Sequence, residues 1–122
     1  MIALAILLAA AADVPQSLLN AADDAGLAHT QCMFATMRAA NQAHLSASDF
    51  ESRVRSECSA QAQRLTNASA RIFRARGDSN PTAKAERMIE DSYRTAVDDY
   101  RQLPEKEKLV RDFCKADPKD CN

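Results

Sequence analysis

Apolar residues recur at intervals of three and four through most of this chain, the spacing of helices that each bury one face. From Gln16 or Ser17 to about Asn41 or Ala43 the inward stripe is Leu18, Ala21 or Ala22, Ala25, Ala28, Cys32, Ala35 and Ala39. These side chains are small, so a neighbouring helix can come close. Gly26 weakens the stretch by about 1 kcal/mol relative to Ala and allows a bend. His44 to Ala47 reads as a turn. Ser48-Asp49-Phe50-Glu51 then has the form of a capping box, in which Ser48 and Glu51 each satisfy a free backbone N–H. The second helix follows, with Phe50, Val54, Cys58, Ala62 or Leu65, Ala68 and Ile72 inward. Gly77, after Arg74-Ala75-Arg76, stops it.

Asn80-Pro81 opens a third helix, Asn80 as N-cap and Pro81 at the first helical position. Its stripe is Ala85, Met88, Ile89, Tyr93, Ala96, Val97, Tyr100 and Leu103. Pro104 is expected to break or kink it. Glu105 to Cys114 reads as a short fourth helix with Leu109, Val110 and Phe113 on its buried side. Lys115 to Asn122 is a polar tail with a turn at Asp117-Pro118.

The cysteines tighten this picture. Cys32 and Cys58 lie on two apolar stripes at nearly equal distances from the turn at His44 to Ala47. Antiparallel packing of the hairpin, residues 16–77, brings them level. Cys114 and Cys121 flank the late turn. The spacing therefore favours Cys32–Cys58 and Cys114–Cys121 among the three pairings that four cysteines allow. Composition agrees with helix: the chain is Ala-rich, has no Trp, and holds 2 Gly among 122 residues. The expected architecture is all-α, an antiparallel helical hairpin about 40 Å long extended to a three- or four-helix bundle and stapled by disulfides. Residues 13–122 form one domain in this reading.

Met1 to Ala12 differs from the rest. Ile2 to Leu8 is continuously apolar, and Ala9 to Ala12 offers the small residues that signal peptidases cut. Residues 1–12 are read as a signal peptide, with Asp13 as the mature N-terminus. The segment is too short to span a bilayer, which takes about 20 apolar residues. An even cysteine number in a short chain with such a leader points to a periplasmic or secreted protein. The net charge of −1 gives no reason to expect nucleic acid as a partner.

Candidate chemistry is sparse. His29, Met33 and Met37 are spaced i, i+4, i+8 on one side of the first helix, and His44 could join them. Thioether and imidazole ligands suit Cu(I), while Met is also a good filler between helices. Met88 stands alone on the third helix. Cys32, Cys58 and His29 could form an N/S metal site, but an oxidising compartment favours the disulfide. Arg64, Arg71, Arg74 and Arg76 form a basic cluster, an anion or anionic-lipid patch in one reading and, in the preferred one, favourable charge at a helix C-terminus facing Glu86, Glu90 and Asp91. No C-x-x-C, G-x-S-x-G, H-E-x-x-H or phosphate-binding Gly loop is present. No residue is expected to be catalytic, and no cofactor is implied.

In outline the hairpin resembles exported helical-hairpin stress proteins and chaperones. Their L-T-x-x-Q signature is not met: Leu65-Thr66 is followed by Asn67-Ala68-Ser69. No family is assigned. By elimination the sequence implies a non-enzymatic envelope protein that binds another envelope protein or a peptide. A copper-binding module and an enzyme inhibitor are the alternatives.

Overall fold

The computed structural model describes residues 13–121, so the expected leader, residues 1–12, lies outside the described part of the chain. Four α-helices follow one another: α1 (Gln16–Gln42), α2 (Ala47–Glu57), α3 (Ser59–Ala75) and α4 (Pro81–Ala116). A 3₁₀ turn over Pro118–Cys121 follows α4. The molecule is a disulfide-stapled all-α bundle, with α2 and α3 running back along α1 and α4 running back along α3. Among the described residues no helix is long and apolar enough to cross a membrane.

Both reversals use the same backbone device. After α1, Leu45 N–H donates to the Ala40 carbonyl at 3.0 Å and His44 N–H to the Asn41 carbonyl at 3.1 Å. After α3, Asp78 N–H reaches the Phe73 carbonyl at 2.9 Å and Gly77 N–H the Arg74 carbonyl at 3.0 Å. These are Schellman motifs, which put one residue in the left-handed region. Gly77 takes it at φ 77° and His44 at φ 55°. The first motif ends at Leu45, which leaves Ser46 extended and able to cap. Asp49 N–H donates to Ser46 Oγ at 3.1 Å. The cap of α2 is therefore Ser46, not Ser48, and the Ser48–Glu51 box is not formed: Glu51 contacts Arg55 instead. Asn80 is the N-cap residue of α4, but its backbone is left-handed and its side chain caps nothing.

The second helix is divided. At Cys58 the backbone turns to φ −101° and ψ 14°, while Cys58 N–H still bonds the Val54 carbonyl and Ala62 N–H the Cys58 carbonyl. The break falls on the residue tethered to α1. The opposite correction applies to Pro104. It lies inside α4, which continues to Ala116, so there is no separate fourth helix over residues 105–114. Proline removes one helical hydrogen bond, here that to the Tyr100 carbonyl, and the exposed segment beyond it continues the helix.

The core joins Met37 and Ala40 of α1, Phe50 and Val54 of α2, and Ile89, Tyr93, Val97 and Tyr100 of α4 around Cys58. Phe50 stacks on Tyr100 at 4.4 Å, and the Tyr100 hydroxyl donates to the Leu45 carbonyl at 2.6 Å. The buried line of α1 is Ala25, His29, Thr36, Met37 and Ala40, rotated from the expected one: Ala35 and Ala39 are exposed. Both expected disulfides are formed, Cys32–Cys58 and Cys114–Cys121. Beyond Leu103 the burial ends. Leu109, Val110 and Phe113, expected on a buried side, are exposed because α4 outruns its neighbours. At 1.5 Å per residue α4 is about 54 Å long against about 40 Å for α1.

Candidate functional site

The helices do not pack equally. α3 packs extensively against both α1 and α4, whereas α1 and α4 approach each other least of all the packed pairs. A groove therefore runs between α1 and α4. Its main hollow, about 450 Å³, takes Thr30, Met33, Phe34 and Met37 from α1. From α4 it takes Met88, Asp91, Ser92, Thr95, Ala96 and Asp99. A second hollow of about 280 Å³ continues toward the start of α1, where α3 forms most of its lining: Leu65, Ser69, Ile72 and Phe73, with Ala22 and Asp23 of α1 and again Met88 of α4. Met88 is the sill between the two. Phe34 is 53% exposed and Met88 42%, so apolar surface of the groove faces water.

The structure resolves the His29, Met33, Met37 series into two groups. Met33 and Met37 line the groove. His29 sits in the core at 1% exposure, its ring edge-on to Tyr93 at 5.3 Å and 79°. Its Nε2 has no hydrogen-bond partner among the described residues. Burial lowers its pKa from the ordinary histidine value, so the ring is neutral at pH 7. His44 is exposed in the α1–α2 turn and takes no part in the groove. Met88, read from the sequence as solitary, joins Met33 and Met37 across the bundle. Its position one residue before the core residue Ile89 was the available signal.

Tyr93 also carries Arg55 on its ring, the guanidinium 4.8 Å from the ring centre. Arg55 forks onto Glu90 with bonds of 2.8 and 2.7 Å. The hydrogen bond from Arg55 holds the Glu90 carboxyl below its ordinary pKa and raises that of Arg55. Glu90 thus pairs with α2, and Arg76 pairs with Asp78. This corrects the expected facing of the late α3 arginines with Glu90. Burial, the largest cause, raises the hydroxyl pKa of both Tyr93 and Tyr100.

Cys32 and Cys58 are bonded to each other and supply no thiolate. Thr36, beside them, donates to the Cys32 carbonyl at 2.9 Å and lies 3.3 Å from Glu57 Oε2. Among the described residues no group of three or more His, Cys, Asp or Glu side chains is placed to hold a metal ion. The groove combines an adaptable thioether lining, an exposed aromatic ring and carboxylates. It is suited to receiving an apolar side-chain stripe flanked by positive charge. Searches of family models, curated proteins and solved structures find no match to this chain.

Proposed function

We propose that this is an exported, non-enzymatic protein that binds an apolar helical segment of another protein in the α1–α4 groove. The observation that carries the reading is the groove itself. It holds every methionine of the described residues, and the charged residues lining its two hollows, Asp23, Asp91 and Asp99, are all acidic. Flexible thioethers repack around different apolar partners, and carboxylates at the rim favour Lys and Arg on the flanks of the incoming segment. From Ala22 to Met37 the groove is about 22 Å long, which matches roughly four turns of helix. Export is supported by the two disulfides and by the reading of residues 1–12 as a signal peptide.

Fluorescence anisotropy with a labelled basic amphipathic helical peptide tests it. The wild type should bind, a Phe34→Glu variant should bind at least tenfold more weakly, and an acidic peptide of the same apolar pattern should be rejected. Equal binding of both peptides, or by both proteins, would remove the groove as the site.

The meeting of Met33, Met37 and Met88 in one groove favours a second reading, a soft-metal module for Cu(I). Anaerobic Cu(I) titration decides it. Loss of affinity in a Met33→Leu, Met37→Leu double variant, repeated in Met88→Leu, is the expected result, and unchanged affinity would end it.

A further inference from the structure

The exposed large apolar side chains of the described chain fall into two patches. Phe34 and Met88 line the groove, and Leu27 lies beside it, on the α1 line of Asp23, Thr30 and Phe34 at helical spacing. Leu109, Val110 and Phe113 form a stripe on the part of α4 that projects beyond the bundle, where Phe113 is 57% exposed. This projection has no core to rest on, yet it is kept in shape. Cys114–Cys121 fastens its end to the 3₁₀ turn. Asn41 Nδ2 donates to Glu107 Oε1 at 3.0 Å near its base. An apolar face on a fastened helix is a surface prepared for a partner.

We propose that the partner is a second copy of this chain, each copy laying its α4 projection in the α1–α4 groove of the other. The proposal rests on the groove-binding reading above and names its occupant. Length agrees: Pro104 to Ala116 spans about 20 Å and the groove about 22 Å. Charge agrees as well. The groove walls carry Asp23, Asp91 and Asp99, and the projection carries Lys106, Lys108, Arg111 and Lys115. Its own acids are Glu105, Glu107 and Asp112, of which Glu107 is bound by Asn41. Lys106 already reaches Asp99 of its own chain at 3.6 Å, so the same ammonium lies where a partner's rim would meet it. Both patches use α4. Antiparallel pairing of two α4 helices about a two-fold near Gln102 sets Leu109 opposite Thr95 and Phe113 opposite Asp91. The contact is therefore reciprocal and closes at two copies.

Sedimentation equilibrium of the oxidised full chain, with anisotropy of the basic amphipathic peptide measured on the same samples, tests this. The expected result is a dimer that weakens at least tenfold in Phe113→Glu and equally in Phe34→Glu, with helical circular dichroism retained. Peptide should compete with the dimer and should bind Phe113→Glu more tightly than the wild type. A wild type that stays monomeric to roughly 100 µM overturns the proposal. So does a dimer indifferent to both substitutions. A monomer that still binds peptide leaves the groove reading standing; one that binds none removes both.

Discussion

Loss of the Cys32–Cys58 bridge should be the costliest single covalent change in the bundle. The bridge spans a sequence separation of 26 and joins α1 to the break between α2 and α3. On the chain-entropy relation a loop of that size restricts the unfolded chain by about 3.5 kcal/mol, and the separation of 7 at Cys114–Cys121 by about 2.4 kcal/mol. Location widens the difference. Cys58 is fully buried in the core, whereas Cys114–Cys121 fastens a projection that can fray without opening the bundle. For a domain of this size 3.5 kcal/mol corresponds to a fall in Tm of roughly 15 °C. Thermal unfolding followed by circular dichroism, on the wild type and on each double Cys→Ala variant with and without reductant, measures it. The Cys32→Ala, Cys58→Ala protein should melt about 15 °C lower when oxidised and should lie close to the wild type under reductant. The Cys114→Ala, Cys121→Ala protein should fall by only a few degrees. An equal fall in the two variants, or a loss at Cys32–Cys58 of under about 5 °C, would refute the assignment of the main constraint to the core bridge.

Four further outcomes are expected. His29 is held neutral by burial, so the unfolded state binds the extra proton first; stability should fall as pH drops below about 6.5, by up to about 1.4 kcal/mol per pH unit, and His29→Phe should flatten urea midpoints measured between pH 6.5 and 5. An unchanged slope would show that the ring is not the sensor. The two Schellman motifs should respond in opposite directions: His44→Gly should stabilise by about 0.5 kcal/mol and Gly77→Ala should destabilise by about 1 kcal/mol in the same denaturant assay. Arg55→Ala removes the fork to Glu90 and the contact over Tyr93. Both partners are partly exposed, so the cost should be about 1 kcal/mol and should shrink in 1 M salt.

The sequence carried the helical class, the two staples and nearly the whole buried line of α4, because these depend on periodicity and on even loop lengths. Helix ends were harder. Ser48-x-x-Glu51 and Ser46-x-x-Asp49 are both plausible caps locally, and the choice fell to the Schellman turn ending at Leu45, a backbone feature without a glycine to announce it. The break at Pro104 and the unbroken helix through Cys58 were misread for a related reason. A proline does not end a helix where water can serve the freed carbonyl, and a helix that looks continuous can still turn at a tether. The groove was the least legible part. Met33 and Met37 were visible as a pair and Met88 as a member of the next stripe, but their meeting across one groove depends on how α1 and α4 pack. The exposure of Leu109, Val110 and Phe113 depends on where the other helices stop, which no local pattern records.

Because α2 and α3 together brace both α1 and α4, the two walls of the groove hardly lean on each other. Phe34 and Met88 can then change with little loss of cohesion, while Phe50, Val54 and Tyr100 elsewhere keep the helices in place. In the proposed reading, variation in what the groove recognises is thereby uncoupled from survival of the scaffold. A lineage of such chains could drift through many partners on one unchanged bundle.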